Sequence, residues 1–523
     1  MIRSLASLVL ASLVTLTGRA QTYDLVIRGG LIIDGSGRPA QRADVAVQDG
    51  RIAAIGKITS PGRAEIDAAG HAVAPGFIDV HTHSEDIADL PVAENFLRMG
   101  VTTIVTGNCG GSTLNVAEFF ATLTRTGVAV NVATLIGHNT VRLKIMGGSF
   151  ARPPTAAELD QMRKLVDQAM RDGAVGLSTG LIYLPGTFAR TDEIVALAKV
   201  ASSHGGIYAS HMRYEDIRIR EALDELTTVA REARIPAEVS HLKLSGPTAW
   251  GRAEEIIAYL DAARASGLQI THDQYAYTAS STGIGANLIE AEFREGGAKR
   301  YRERLADPAT KARMVAAMKK SIVEEKRGDY TFAVIANFKP DPRANGLTVP
   351  QAAKLFRGSD TLDDQIETIL EIEARGGAQG VFHGMSEDDL RKFLAQPFTM
   401  VASDAGPRKF GDAVPHPRGY GNNARVLSRY VREQKLIAIE EAVRKMTSLP
   451  AQTFQLKNRG ELRPGFVADI VIFDPEKVTD PSTFSDPHHY AEGFTDIIVN
   501  GTPVIRAGQL TEARPGRPVR LNE

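Results

Sequence analysis

Two histidines separated by one residue, in Asp79-Val80-His81-Thr82-His83, close an apolar run that begins at Val73. At the end of a β-strand such a pair projects to one side of the pleat. Both imidazoles can then reach one cation, for which the neutral ring is the commonest ligand. Further residues of this kind follow other strand-like runs: the lone cysteine, Cys109, in Thr106-Gly107-Asn108-Cys109-Gly110-Gly111, then His211, His241 and Asp404. Taken singly, each has an ordinary structural part open to it: a buried thiol, a satisfied core imidazole, or a helix-capping aspartate in Ser403-Asp404-Ala405-Gly406. Six such side chains converging on one rim are hard to account for by packing. A thiolate and two imidazoles leave the fourth corner of a tetrahedral zinc site to water. Zinc lowers the pKa of that water to about 7. A neighbouring carboxylate, for which Asp404 is the candidate, would take the proton and deliver it to a leaving amine. The expected chemistry is metal-assisted hydrolysis of an amide or related acyl bond.

Converging those residues requires strands whose ends share one face. Candidate strands at 73–80, 101–107, 129–136, 173–179, 206–212, 237–243, 268–275 and 398–404 alternate with amphipathic helical patterns. That alternation is the mark of βα units around a parallel sheet. Eight such strands predict an α/β chain with a (β/α)8 TIM-like barrel, whose active sites lie at the C-terminal ends of the strands. Thr155-x-x-Glu158 reads as a capping box ahead of a helix over 155–172, and Thr191-Asp192-Glu193 opens another. An open doubly wound sheet is the alternative, disfavoured because no phosphate-binding G-x-G-x-x-G follows the early strands. Short alternating segments with turn signals over 23–70, and again at 468–474 and 495–501, predict a small β-sandwich built from both termini. About 285–395, between strands seven and eight, is too long for a simple crossover and reads as an insertion over the barrel mouth. The expected division is a leader at 1–20, β segments at 21–72 and 456–523, and the barrel at 73–455.

At 523 residues and 43% hydrophobic content the chain can bury a sizeable core. Its formal net charge of -1 leaves no electrostatic footprint for nucleic acid or an anionic membrane. Met1-Ile2-Arg3, the apolar Leu5 to Leu16 and the small-x-small Gly18-Arg19-Ala20 read as a cleavable signal peptide. The apolar run is short for a membrane span, and no cysteine near the cleavage site suggests lipidation. The expectation is an exported protein, periplasmic or secreted, with no stable membrane span after cleavage. With only one cysteine no intramolecular disulfide can form.

Ile32-Ile33-Asp34-Gly35-Ser36-Gly37, Gly50-Arg51-Ile52, the run from Ala74 to His83, and Pro464-Gly465-x-x-Ala468-Asp469 resemble the amidohydrolase superfamily across nearly the whole mature length. More narrowly, Gly107-Asn108-Cys109-Gly110, the run from Gly176 to Gly186, Ser240-His241-Leu242-Lys243 and His416-Pro417-Arg418 look like the N-acyl-D-amino-acid deacylases, or D-aminoacylases. The resemblance implies a zinc enzyme releasing a carboxylate and a free D-amino acid from an N-acyl-D-amino acid. It implies that Cys109, His211 and His241 hold the tightly bound zinc. His81, His83 and Asp404 would line a second position, weak or vacant, with Asp404 as general acid and base. Many relatives bridge two metals with a carboxylated lysine on the fourth strand, but Ala174–Gly180 holds no lysine. Arg418, Lys243, Tyr275 and Ser281 match positions that hold the substrate α-carboxylate, and Tyr183 one that meets the scissile carbonyl. Two other readings stand beside this one: an exported dipeptidase cleaving before a C-terminal D-residue, and a barrel that binds ligand without turnover. Retention of every metal-type residue argues against the last. No further cation is evidently placed for an acidic substrate, which favours a hydrophobic or broad D-side chain. Oligomeric state stays open.

Overall fold

The computed structural model describes residues 22–521 and 523, so the leader read over 1–20 lies outside the described residues. The strands form at each expected place: Phe77–Asp79, Val101–Thr106, Asn131–Thr134 continued by Ile136–Gly137, Gly176–Gly180, Ile207–His211, Ala237–Val239, Ile270–Gln274 and Thr399–Val401. Neighbours pair in parallel around the series. The ring closes just beyond the last strand, where a parallel bridge joins Thr82 to Ala405. There the Asp404 amide donates to His81 O and the His83 amide to Ala405 O, both at 2.9 Å. Asp79, fully buried, reinforces this seam by accepting from the amides of Ser403 and His81. The core is filled by residues such as Ile104, Val132, Leu177, Tyr208 and Met400.

Helix starts follow the local signals in part. Thr155 and Glu158 form the expected capping box on Ala156–Arg171. The next helix, Thr191–Ser203, begins where expected but without a side-chain cap, because the cap position falls on Arg190; the Thr191 hydroxyl donates instead to Glu225.

Both termini build one nine-stranded sheet, eight strands in a single path and Gly62–Asp67 paired off it to Tyr23–Ile32, around its own core, which includes Leu25, Val45, Ile470 and Ile498. The expected strand 73–80 is in fact two. Ala72–Pro75 belongs to the terminal sheet, against Ile470–Phe473, and Phe77–Asp79 belongs to the barrel. Gly76 makes the break, and a Cβ there would fall 2.2 Å from Thr102 Oγ1.

The insertion also starts earlier than expected. Ala279–Gly283 is the edge of a three-stranded antiparallel sheet with Gln379–His383 at its centre and Ala333–Asn337 beyond. Helices including Pro308–Glu324 and Leu362–Ala374 cover it over a separate core with Met314, Ile335, Ile369 and Phe382. The insertion ends at His383. The helix Glu387–Leu394, expected inside it, instead packs on the barrel helix Ala253–Ala265 and feeds strand eight.

Candidate active site

The polar residues singled out above sit together at the C-terminal mouth of the barrel. His81 and His83 follow strand one, Cys109 the loop after strand two, His211 ends strand five, His241 follows strand six and Asp404 follows strand eight. Cys109, His241 and Asp404 have φ of 53°, 36° and 51°. Left-handed backbone at a non-glycine residue costs on the order of 1–3 kcal/mol and clusters where function requires it. The tight Cys109 loop is held by Asn108, whose amide reaches Val80 O and Val105 O. It also needs Gly110, where a Cβ would lie 2.3 Å from Asn139 Oδ1.

Three donor atoms face one another there. Cys109 Sγ lies 3.6 Å from His211 Nδ1 and 3.8 Å from His241 Nε2, and the two nitrogens are 2.8 Å apart. A point equidistant from all three lies about 2.0 Å from each, against about 2.0–2.1 Å for zinc–imidazole and about 2.3 Å for zinc–thiolate bonds. The donor set and its spacing therefore fit zinc. Burial alone would raise the Cys109 thiol, but the adjoining His81 charge and hydrogen bonds from His211 and His241 bring it well below its ordinary range. Burial keeps His211 neutral. A second group, His81, His241 and Asp404, lies within ligand spacing beside the first, and His81, His83 and Cys109 form a third. His81 Nε2 stands 3.3 Å from Cys109 Sγ and 3.5 Å from Asp404 Oδ1, and His83 Nε2 3.1 Å from that oxygen.

Carboxylates not singled out from the sequence orient these rings. Asp273 Oδ2 lies 3.0 Å from His81 Nδ1, and its other oxygen accepts the His241 amide at 3.0 Å. Glu215 Oε1 lies 3.0 Å from His241 Nδ1. A proton held on each Nδ1 leaves Nε2 free to face the cluster, the usual arrangement around a bound metal. Lys243, expected at a substrate carboxylate, is instead buried and donates to Glu215 Oε1 at 2.6 Å. Its ammonium also stands 2.7 Å from His241 Nδ1. Burial would raise the Glu215 carboxyl, but Lys243 and the two imidazoles hold it far below its ordinary value.

A cavity of about 730 Å³ opens onto Cys109, His83 and Asp404. Tyr183 lies on its wall, its ring 4.8 Å from that of His211, and its oxygen accepts from Thr282 Oγ1 at 3.0 Å. Burial and the nearby Cys109 push the Tyr183 phenol well above its ordinary value, so it stays protonated. Arg418 is buried, stacked 4.5 Å from the Tyr275 ring centre, with Nη1 2.9 Å from Asp404 Oδ2. That contact is off-line for a hydrogen bond, and Arg418 Nε is buried without any partner. Burial opposes ionisation of Asp404, but Arg418, His81 and His83 lower its pKa well below the carboxylate range. Ser281 lines the cavity and offers its carbonyl to Arg418 Nη2 at 3.3 Å. Tyr275 lies beneath Arg418 rather than on the cavity wall, its hydroxyl 3.6 Å from Met385 Sδ.

The amidohydrolase family model matches residues 64–505. The chain belongs to the amidohydrolase family. This amidohydrolase is 35% identical over 526 residues to a D-aminoacylase of Alcaligenes xylosoxydans xylosoxydans, covering 95% of this chain and 98% of that one. A solved N-acyl-D-glutamate deacylase from Bordetella bronchiseptica, complexed with zinc and a phosphonate mimic of the tetrahedral intermediate, superposes with a TM-score of 0.81. It is 34% identical and covers 96% of this amidohydrolase and 100% of that chain. A D-aminoacylase structure described by one-metal activation and second-metal attenuation of its binuclear centre also gives 0.81, at 33% identity with the same coverage. In this amidohydrolase the fourth strand, Gly176–Gly180, carries no lysine, and the cysteine that follows strand two belongs to the donor cluster.

Proposed function

We propose that this chain is a zinc-dependent deacylase that hydrolyses the amide bond of N-acyl-D-amino acids, giving a carboxylate and a free D-amino acid. The observation that carries this reading is the Cys109, His211 and His241 cluster at zinc spacing, open to a cavity that also holds Asp404 and Arg418. We further propose one tight site at that cluster, with His81, His83 and Asp404 forming a weaker second position. The relative described by one-metal activation supports this.

When bound, zinc polarises water and brings its pKa towards about 7. Asp404 Oδ1, between His81 and His83, is placed to take a proton from water and return it to the leaving nitrogen. The protonated Tyr183 hydroxyl is a donor for the scissile oxygen as its charge develops. Arg418 brings a planar fork with an unpartnered Nε to the cavity, suited to a substrate α-carboxylate. Holding carboxylate and scissile carbonyl fixes two substituents of the α-carbon, so inversion drives the side chain into the wall that had faced hydrogen.

A panel of N-acetyl-D- and N-acetyl-L-amino acids, assayed with zinc, tests this. A clash of several kcal/mol at about 1.4 kcal/mol per tenfold predicts a D-over-L ratio in kcat/KM of at least about 100. Arg418→Ala should narrow it. Equal hydrolysis of both enantiomers by the wild type would refute the reading. We also propose that the enzyme works outside the cytoplasm, on the strength of Arg3, the apolar Leu5 to Leu16 and Gly18-Arg19-Ala20. A mature N-terminus at Gln21 in a periplasmic or culture fraction is the expected result.

A further inference from the structure

A second guanidinium faces the same cavity. Arg408 follows Asp404 on the loop after strand eight and lines the cavity together with Arg418. Its Nε is fully buried and has no hydrogen-bond partner. Among the described residues its guanidinium forms no ion pair either, whereas Arg418 and Arg213 at the same end of the barrel each have one. The loop is anchored through the backbone, with the Arg408 amide donating to Asn95 Oδ1 at 3.1 Å, so no structural bond depends on the side chain. Arg408 Nε lies 3.4 Å from where a Cβ on Gly419 would be, beside the backbone that carries Arg418.

Burying a guanidinium without an anion is unfavourable, and the charge of Arg418 nearby adds to that cost. Both effects pull the Arg408 guanidinium below its ordinary value, burial first and Arg418 second. The cavity carboxylates Asp86, Asp404 and Asp412 lie beyond ion-pairing distance of it, and although Asp86 and Asp404 offset part of the cost through space, no carboxylate of the described residues pairs with it directly. A planar fork is matched to a carboxylate.

We propose that Arg408 receives the side-chain carboxylate of an acidic D-residue, so that the preferred substrates are N-acyl-D-amino acids carrying two carboxylates. This rests on the deacylase reading above, in which Arg418 takes the α-carboxylate. Because Arg408 lies beside Gly419, next to Arg418 and on the same loop, the second anion belongs to the amino-acid half of the substrate. On the Tyr183 side the cavity is lined by Leu184 and Leu143 with Asn139 and Thr140, a wall without a cation that suits the acyl half. Lys409, exposed at the same rim, adds positive charge at the entrance.

The test is a ratio. Zinc-loaded enzyme is assayed with N-acetyl-D-glutamate against N-acetyl-D-glutamine, and N-acetyl-D-aspartate against N-acetyl-D-asparagine. A charged partner lost from a site built to pair it is discriminated steeply, so at least one acidic-to-amide ratio in kcat/KM should exceed about tenfold. Arg408→Met should cut that ratio by at least about tenfold, chiefly through KM, and Arg408→Lys should retain part of it. N-succinyl-D-alanine, whose extra carboxylate lies on the acyl side, should gain nothing over N-butyryl-D-alanine. Wild-type ratios near one with brisk turnover of neutral D-substrates would overturn the assignment of Arg408 and leave the deacylase reading standing. An acidic preference that survives in Arg408→Met, or one shown only by the succinyl substrate, would overturn it too. Turnover of no D-substrate at all would overturn both.

Discussion

Glu215 offers the sharpest check on how the cluster is tuned. Its Oε1 receives the Lys243 ammonium at 2.6 Å and faces His241 Nδ1 at 3.0 Å; Lys243 and His241 are buried and Glu215 is largely so. Glu215→Gln keeps the shape and removes the charge. Lys243 then stands 2.7 Å from His241 Nδ1 with no counter-ion. An ammonium can only donate, so it favours the tautomer with Nδ1 as acceptor. That moves the ring proton to Nε2, the atom that faces Cys109 and His211 and must be bare to bind a cation. Losing such an orienting partner typically weakens metal binding about 10–100-fold, or about 1.4–2.7 kcal/mol. Breaking a buried ion pair from one side also costs roughly 3–5 kcal/mol of stability. Competition with a chromophoric zinc chelator should therefore show the affinity falling within that range, with a lowered Tm. Adding Lys243→Met removes the stranded charge, so the double variant should recover part of both losses. Unchanged zinc affinity in Glu215→Gln, or a double variant as poor as the sum of the singles, would refute this account.

Cys109→Ala should lose most bound zinc and activity together, since a thiolate supplies one of three donors; full zinc content by elemental analysis would contradict the assignment. Asp404→Asn should keep the fold and most of the tightly held metal while kcat falls about 10²–10⁴-fold, the usual worth of general acid–base assistance; near wild-type turnover in the metal-replete variant would remove Asp404 from that role. Burial pulls the Lys445 ammonium down to about 7 beneath the barrel. Its folded value is below the unfolded one, so the cost of charging it is fully present below about pH 7 and fades as the pH climbs towards the unfolded value. This group alone should raise stability with pH by up to about 1.4 kcal/mol per unit across that window. Lys445→Met should flatten the rise in Tm between pH 7 and 10, and an equally steep rise would refute the assignment.

The strands of the barrel could be read from the sequence because buried parallel strands are continuous apolar runs, and the donor residues because each stands where such a run ends. Boundaries were harder to read. Val73 to Val80 is one apolar run, yet Gly76 divides it between two sheets, and the close approach of Thr102 that forces this lies far along the chain. Glu215 and Asp273 are not legible in the sequence, because an acidic residue in a rim loop or at a strand end has the same pattern whether it meets solvent or an imidazole. Glu215 did stand four residues after His211, and Asp273 at the end of strand seven, positions that could have drawn attention. Lys243 was legible as a cation at the mouth, but not as one already committed to Glu215. Arg408 is hidden in sequence for a converse reason: it is one of a basic pair on a loop, and only its half-buried guanidinium, with Nε buried and unpartnered, marks it.

The terminal sheet bears on how the molecule comes into being. Ala72–Pro75 waits for Ile470–Phe473, and bridges join Val128, just ahead of strand three, to Gly516 and Val132 within it to Pro518. At about 5–20 residues per second, a ribosome takes on the order of 20–80 s to cover the roughly 400 residues between the first pair of partners. During that interval the hairpins near the amino end present an open edge of the kind that pairs indiscriminately with other chains. The last stretch of polypeptide is thus a clasp. Shortening the carboxyl end to before Ile470 would leave the barrel's donor residues untouched and still deprive the young chain of the strand that covers that edge.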